Sequence, residues 1–200
     1  MSVEMIPIVE GHGEVRSVPI ILRRLAAEVE LYQVRIASPI RIPRDRFVRE
    51  GEAERAVELA ARHLGGAGGI VIVMDADDDL PCELGPRLLA RASARRSDVP
   101  IAVILAKCEL EAWFLASIES LRGQRGVRES AAAPSDPESI RGAKGMLSRL
   151  MSGRYSEVTD QAAFAAKFDL EVARGRSPSF SKLSRDIHKM IEKLRNRPSP

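Results

Sequence analysis

The feature that most constrains the fold is the stretch from Ile70 to Leu80, "IVIVMDADDDL", in which an apolar run ends abruptly in aspartates. A short apolar run rich in β-branched residues, with the glycine-rich "GGAGG" at its start, is typical of a strand buried in a parallel sheet. Like charges side by side at the end of this strand cost stability. Something should therefore neutralise them, and the candidates are a metal ion, backbone amides and water.

Strand and helix alternate through residues 1–121. The segments "MIPIVEG", "YQVRIASPIRIP", "GGIVIVMD" and "VPIAVILAK" predict four extended stretches. Apolar residues at helical spacing predict helices between them, including one over 83–96, and a further helix over "ELEAWFLASIESL". This order predicts an α/β core with a mostly parallel sheet and helices on both of its faces.

Residues 122–200 have a different character. A loop rich in Gly, Ser and Pro leads to a predicted helix near Pro137 to Leu150, and further helices are predicted over "DQAAFAAKFDLEVARG" and "SPSFSKLSRDIHKMIEKLRN". Ser179 or Ser181 is the expected N-cap of the last helix. We expect an α-helical appendage that packs on the core and forms one structural unit with it.

Composition excludes several classes of protein. Cys82 and Cys108 lack C-x-x-C spacing and the chain has three histidines, which argues against structural zinc, so oxygen ligands would hold any metal. The chain opens without a basic and apolar leader, and no apolar run approaches the roughly 20 residues of a membrane span. We therefore expect a cytoplasmic protein with no membrane partner. The basic C-terminal stretch suits a polyanion partner or a solvated helix face.

Asp75, Asp77 and Asp79 have D-x-D-x-D spacing at the end of the predicted third strand. In an extended chain, residues two apart face the same way, so these carboxylates would converge on one point. The carboxyl ends of strands are where open α/β sheets bind ligands, and carboxylates with retained waters are the usual way to hold Mg²⁺. The alternative is an acidic turn.

The segment "VEGHGE" places Glu10 at the end of the first strand and Glu14 in the first turn of the following helix. If the first and third strands are neighbours, both acids approach the aspartates. Glu14 has an alternative explanation, since an acid in the first turn complements the helix dipole. Gly11 and Gly13 suit a tight strand-to-helix turn.

The sequence does not match three competing motifs. An EF-hand loop starting at Asp75 would need Gly and Glu where Leu80 and Pro86 stand. No G-x-x-x-x-G-K-[ST] occurs for a P-loop, and "GGAGG" precedes a strand instead of linking a strand to a helix. Neither calcium of the EF-hand type nor a P-loop or dinucleotide site is expected.

Five segments together resemble a known family over nearly the whole chain: "VEGHGE", "VMDADDD", "ELEAWFLA", the region of Lys144 and "ARGRSPSF". The family is the bacterial one known as domain of unknown function 4276. A strand ending in Glu-Gly, followed by a later strand ending in D-x-D, is also similar to the Toprim domain of topoisomerases, primases and overcoming-lysogenization-defect nucleases. The resemblance implies a Toprim-like parallel sheet flanked by helices.

The resemblance also implies roles for particular residues. The implied catalytic residues are Glu10, as general acid or base, with Asp75 and Asp77. The implied metal ligands are Glu10, Glu14, Asp75, Asp77, Asp79 and one of Glu109 and Glu111. We expect Trp113 to belong to the core. Lys107, Lys144, Arg174 and Arg176 are candidate phosphate contacts, each also explained as an ordinary surface charge.

The leading functional hypothesis is a Mg²⁺-dependent nuclease, with Mn²⁺ as a substitute, that hydrolyses phosphodiesters by activated water. Two ions roughly 3.5 to 4 Å apart would clamp the attacking and leaving oxygens. The resemblance further implies a nucleic-acid substrate and an AAA-type ATPase partner in phage defence. The alternatives are a catalytically silent binding module acting through the basic C-terminal helix, and a haloacid-dehalogenase-type phosphatase. The phosphatase motif lacks its following Thr or Val, because Asp79 and Leu80 stand there.

Overall fold

The computed structural model describes residues 3–64 and 68–196. The strands are β1 (Val3–Val9), β2 (Val34–Ile36), β3 (Ile40–Arg41), β4 (Gly68–Asp75) and β5 (Ile101–Ala106). The α-helices are α1 (Glu14–Glu28), α2 (Arg44–Phe47), α3 (Glu52–His63), α4 (Pro81–Arg95), α5 (Glu111–Ala116), α6 (Ala143–Leu150), α7 (Gln161–Lys167), α8 (Leu170–Arg176) and α9 (Pro178–Arg195). Short 3₁₀ helices cover Ile118–Leu121 and Pro137–Ser139.

The described strands form one parallel sheet in the order β2-β1-β4-β5, and β3 also pairs with β1. The predicted α/β class and the mostly parallel sheet are confirmed. β1 and β4, the first and third predicted strands, are neighbours, with Ile8 opposite Ile72 and Val9 opposite Val73. The residues that follow β1, β4 and β5 therefore meet at one edge of the sheet.

Every residue of β4 is buried, because helices cover both faces of the sheet. Val71 and Val73 pack into an apolar cluster with α1, α5 and α9. Ile70 and Ile72 alternate with them and pack into a second cluster with α3 and α4. The two-sided burial explains why this strand is a continuous apolar run and confirms helices on both faces.

The C-terminal helices pack on the sheet instead of standing apart from it. The apolar residues of α9 at helical spacing are buried, from Leu183 to Leu194, and belong to the same cluster as Val71 and Val73 of β4. Lys182 of α9 also donates from its Nζ to the carbonyl oxygen of Val103 in β5, at 2.8 Å. One apolar core thus continues from the sheet into α9.

Several predicted helix boundaries are wrong for local reasons. Ser177, not Ser179 or Ser181, is the N-cap of α9, and its Oγ accepts the N–H of Phe180. Pro178 fits the first helical position, where no backbone donor is needed, so the cap lies one residue before it. The helix predicted over "DQAAFAAKFDLEVARG" is broken, because Asp169 caps α8 by accepting the N–H of Val172.

Other predicted elements are divided in a similar way. The segment "YQVRIASPIRIP" contains two short strands, β2 and β3, in place of one extended stretch. The predicted helix from Pro137 to Leu150 is a 3₁₀ turn followed by α6, and Gly142 between them has a φ of 75° that ends the continuity. Residues 65–67 of "GGAGG" lie outside the described residues, whereas Gly68 and Gly69 open β4. Across the described ranges, no helix is long and apolar enough to span a membrane.

The close pairing of β1 and β4 predicts that Gly68 does not accept a side chain. A Cβ at this position would lie 2.8 Å from the carbonyl oxygen of Glu4 and 2.5 Å from Cδ2 of Leu64. We expect Gly68→Ala to lower the free energy of unfolding by about 1–3 kcal/mol in denaturant titrations. The control is Gly145→Ala in α6, where a Cβ meets nothing within 4 Å, so the variant should gain about 0.5–1 kcal/mol. A Gly68→Ala variant as stable as the wild type would contradict this packing.

Candidate functional site

The acidic segment after β4 is a turn and not an extended chain. β4 ends at Asp75, Asp77 has a φ of 50°, and the N–H of Asp79 donates to the carbonyl oxygen of Ala76 at 2.9 Å. The predicted convergence of Asp75, Asp77 and Asp79 on one point is therefore wrong, because it required an extended backbone. Asp75 separates from the two aspartates that follow it.

Arginines neutralise the exposed part of this turn. Arg44, in α2, contacts the carboxylates of Asp77 and Asp79, with its Nε 3.7 Å from Oδ2 of Asp77. Arg141 pairs with Asp78 at 2.8 Å. Sequence reasoning missed Arg44, although it stands in the basic segment that follows the second predicted extended stretch. Ion pairs thus account for three of the four aspartates.

The fourth aspartate, Asp75, faces a cavity of about 170 Å³ beneath the carboxyl ends of the central strands. The residues lining this acid cavity are Glu10, Gly11, Gly13, Glu14, Asp75, Glu111, Lys144, Glu157 and Gln161. The fold therefore brings together four of the predicted acids and one predicted phosphate contact.

Two of these acids also stabilise the local backbone. Oε2 of Glu14 accepts the N–H groups of Glu10 and Gly11, at 2.8 and 3.0 Å, and so closes the connection between β1 and α1. Oδ1 of Asp75 accepts the N–H of Leu110 at 2.8 Å and joins the end of β4 to the segment after β5. Each carboxylate is thereby held in place at the cavity wall.

Glu111 and Glu10 each present a carboxylate oxygen that is not satisfied. Glu111 is 1% exposed, and its Oε1 accepts from the hydroxyl of Tyr155 at 3.0 Å and from Nε2 of Gln161 at 3.1 Å. Oε2 of Glu111 and Oε2 of Glu10 are buried and have no hydrogen-bond partner among the described residues. Buried polar atoms are normally bonded, so these two oxygens are the atoms beside the cavity that could accept a donor or coordinate a cation.

The electrostatics of the cavity oppose ionised acids. Burial raises the pKa of Glu10, with a further contribution from Asp77, and burial also raises the pKa of Glu14. Burial, together with the charges of Glu14 and Glu111, raises the pKa of Asp75 well above its ordinary value. Burial raises the pKa of Glu111 to about 7. Ionising these groups together requires a compensating positive charge.

Lys144 supplies part of that positive charge. Its Nζ lies 2.8 Å from Oε1 of Glu157. Burial alone would lower the pKa of Lys144, but the neighbouring Glu111, Glu157 and Asp75 outweigh burial and raise it, so the amine stays protonated. The backbone N–H of Lys144 donates to Oε2 of Glu109 at 3.1 Å. Glu109 therefore stabilises the start of α6, and Glu111 is the member of the pair that faces the cavity.

The other predicted phosphate contacts lie elsewhere. Arg174 is paired with Glu28 at 2.6 Å, and Arg176 with Glu119 at 3.0 Å. Lys107 is exposed beside a separate groove between α4 and α9. None of these three cations lines the acid cavity within the described part of the chain.

Trp113 belongs to the core, as predicted. It is fully buried, its Nε1–H donates to Oγ of Ser179 at 2.8 Å, and its ring packs edge-on against Phe180 with centroids 5.5 Å apart. The side chain is therefore not available as a platform for nucleic-acid bases.

Three residues of the cavity region come from the C-terminal helical part and were not predicted as site residues. Tyr155 and Gln161 bond to Glu111 across 44 and 50 positions of sequence, and Glu157 pairs with Lys144. No pattern in a single sequence marks such distant partners. Tyr155 is 7% exposed and donates its hydroxyl to Oε1 of Glu111.

Gly11 and Gly13 lie in the short turn that links β1 to α1, as predicted, but the backbone conformation of Gly13 does not require glycine. Gly13 has φ −65° and ψ −42°, a conformation open to any residue, and Gly11 is not among the described glycines with positive φ. A Cβ on Gly13 would overlap Oε1 of Gln161 and lie 3.0 Å from the carbonyl oxygen of Glu157. The close approach of Gln161 and Glu157, and not the backbone conformation of the turn, is what requires glycine at position 13.

The acids share the cavity without forming a finished metal cluster. Within residues 3–64 and 68–196, no group of three or more His, Cys, Asp or Glu side chains is arranged to hold an ion. An ion bound here would have to draw the carboxylates closer together.

Comparison with known proteins identifies the family. The sequence profile of the domain of unknown function DUF4276 matches residues 9–188. The chain belongs to the DUF4276 family. Among curated proteins, none matches this DUF4276 chain. Among solved structures, the chain is similar to the C-terminal region of the Xanthomonas campestris pv. campestris OLD protein, with 15% identity, a TM-score of 0.42, and coverage of 96% of this chain and 98% of that chain.

The buried charge of Glu111 predicts that the stability of this DUF4276 protein depends on pH. The pKa of Glu111 is 4.5 in the unfolded chain and about 7 when folded. Between pH 4.5 and about 7 the folded state therefore binds more protons than the unfolded state, so the free energy of unfolding falls as the pH rises. The stabilisation that protonated Glu111 contributes is fully present below pH 4.5 and is lost as the pH rises through about 7. In EDTA at pH 8, Glu111→Gln should therefore be more stable than the wild type, by at most about 3 kcal/mol.

Thermal melts of the wild type and Glu111→Gln between pH 4.5 and 8 measure this effect, and the difference should vanish near pH 4.5. The matched control is Glu129→Gln, which removes the same charge from an exposed position. A Glu111→Gln variant that is no more stable than the wild type at pH 8 would show that the cavity already neutralises this acid.

Proposed function

We propose that this DUF4276 protein is a Mg²⁺-dependent, Toprim-like phosphoryl-transfer enzyme that acts as a nuclease on nucleic-acid phosphodiesters. The observation that carries the proposal is the acid cavity, in which Glu10 and Glu111 each keep an unsatisfied buried oxygen. Several acids with raised pKa values in one cleft are costly for stability and are typical of functional sites. Their position at the carboxyl edge of a parallel sheet agrees with where such folds bind ligands.

The donor set suits a hard divalent cation. The acidic side chains that line the cavity offer carboxylate oxygens, which Mg²⁺ and Mn²⁺ prefer over the sulfur and imidazole ligands that suit zinc. A volume of about 170 Å³ equals that of roughly five or six water molecules, enough for an ion that retains several waters. Asp75 and Glu111 within the cavity, and Glu10 with the neighbouring Asp77 at its mouth, are the residues proposed to hold the metal.

Bound divalent ions would supply charge neutralisation for a phosphate and activation of a water molecule. The chain's own residues would provide proton transfer, a contact to phosphate and a fixed backbone at the site. Glu10 is half-buried with a raised pKa, so it can exchange a proton with a water at the cavity mouth. Lys144 remains protonated in the cavity wall and can contact a phosphate oxygen. Glu14 keeps the end of β1 in place through the amides of Glu10 and Gly11.

Nucleic acid is the proposed substrate because cations surround the acids. Arg44 lies against Asp77 and Asp79, and Nη1 of Arg41 donates to the carbonyl oxygen of Glu10 at 3.4 Å. A phosphate backbone entering the cavity would exchange these ion pairs for contacts of its own. An AAA-type ATPase partner in phage defence is part of the proposal through the family resemblance alone.

A catalytically silent binding module is the second candidate, and one surface favours it. A groove of about 760 Å³ between α9 and the end of α1 is lined by Arg174, Arg185, His188, Lys189 and Arg195, among others. Its basic character suits a polyanion. Metal-independent binding of nucleic acid without turnover would favour this candidate.

Metal binding and cleavage by matched variants test the enzymatic proposal. We expect Mn²⁺ to raise the melting temperature of the wild type by mass action, and the protein to cleave at least one of single- or double-stranded DNA and RNA. Asp75→Asn should lose the metal-induced shift and at least about 100-fold in cleavage rate, since it removes a charge that the metal requires. Asp78→Asn removes the same charge from a side chain that is 81% exposed, and should behave like the wild type.

Three results would contradict the proposal. If neither Mn²⁺ nor Mg²⁺ changes the melting temperature of the wild type, the cavity is not a metal site. Cleavage that persists unchanged in Asp75→Asn would place the chemistry elsewhere, and turnover of small phosphoesters without cleavage of nucleic acids would favour the phosphatase alternative.

A further inference from the structure

The orientation of Glu111 in the acid cavity is set by side chains from the C-terminal helical part. We propose that Tyr155 and Gln161 are positioning residues that fix Glu111 with one oxygen turned toward the metal, and that Gly13 is glycine because Gln161 must fit against it. This inference rests on the proposed function, because it concerns the same metal site. It adds Tyr155 and Gln161, which lie outside both the D-x-D segment and "VEGHGE".

The two oxygens of Glu111 have opposite environments. Oε1 accepts both the hydroxyl of Tyr155 and Nε2 of Gln161, whereas Oε2 accepts nothing among the described residues. Two donors on one oxygen prevent the carboxylate from rotating, so the unsatisfied oxygen is held in a single orientation. Groups that hold a metal ligand in this way are typical of metal sites.

The orientation of Gln161 is itself fixed. The hydroxyl of Ser17, in α1, donates to Oε1 of Gln161 at 3.0 Å, and both side chains are buried. With its oxygen bonded to Ser17, the amide can present only its nitrogen to Glu111. A rotated amide would instead place Oε1 of Gln161 against the carboxylate, which repels it.

Gly13 makes room for this arrangement. Its backbone is helical, so conformation alone does not require glycine. A Cβ at this position would overlap Oε1 of Gln161 and press on the carbonyl oxygen of Glu157. Any side chain at position 13 would therefore displace Gln161, and the first acidic motif and α7 depend on each other through this contact.

Tyr155 is held as firmly as Gln161. Its ring stacks on Phe164 with centroids 5.9 Å apart and an interplanar angle of 26°. Its hydroxyl donates to Oε1 of Glu111 at 3.0 Å. Because the ring is packed independently of the hydroxyl, Tyr155→Phe removes the hydrogen bond and preserves the packing.

Mn²⁺ affinity, measured by calorimetry on the full chain, tests the inference without relying on cleavage. Tyr155→Phe, Gln161→Met and Gly13→Ala should each weaken Mn²⁺ binding by roughly 10-fold or more, the usual effect of removing a partner of a metal ligand. The matched controls are Tyr32→Phe, at a side chain that is 77% exposed, and Gly153→Ala, where a Cβ meets nothing within 4 Å. Both controls should bind like the wild type.

A double-mutant cycle separates positioning from a general structural role. If Tyr155 acts through Glu111, Tyr155→Phe should weaken Mn²⁺ binding in the wild type but have no further effect in Glu111→Gln. A merely structural role would give the same loss in both backgrounds and would overturn the inference. If Gly13→Ala fails to fold, the Mn²⁺ affinity of Tyr155→Phe still tests the inference.

The outcomes also separate this inference from the proposed function. A wild type that does not bind Mn²⁺ overturns the proposed function, and this inference with it. A wild type that binds Mn²⁺, together with a Tyr155→Phe variant of unchanged affinity, overturns only the positioning of Glu111.

Discussion

The burial of β4 on both faces is the constraint on which the rest of the structure depends. This strand pairs in parallel with β1 and β5, and its residues supply both apolar clusters. Parallel pairing requires that the three strands end at one edge of the sheet, so Glu10, Asp75 and Glu111 are brought together by the same pairing that forms the core. The acid cavity is thus a direct consequence of the order of the strands.

The C-terminal helices do more than cover one face of the sheet. They bring Lys144, Glu157 and Gln161 to the wall of the acid cavity, and Tyr155 to the carboxylate of Glu111. The α/β core alone would leave Glu111 with neither of its two donors. Fold and candidate site are therefore interdependent, because the segment that completes the core also completes the surroundings of the buried acids.

Local patterns predicted the parts of the molecule that depend on local physics. The apolar run of β4 and the acids after β1 and β4 follow from strand periodicity and from the rule that ligands bind at strand ends. The turn at Asp77 and its ion pair with Arg44 did not follow, because a residue with positive φ cannot be read from D-x-D spacing. The roles of Tyr155 and Gln161 could not be predicted from the sequence either, because only tertiary packing places them beside Glu111.

Crystals of the protein soaked in Mn²⁺ would show whether the acid cavity binds a divalent metal. Anomalous difference density locates manganese without any assumption about activity or partners. We expect a peak within bonding distance of carboxylate oxygens of Asp75 and Glu111, with Oε2 of Glu10 and Oε2 of Glu111 drawn toward the bound manganese. A well-ordered cavity without an anomalous peak would contradict metal binding at this site. A peak only beside surface acids such as Asp78 would contradict it as well.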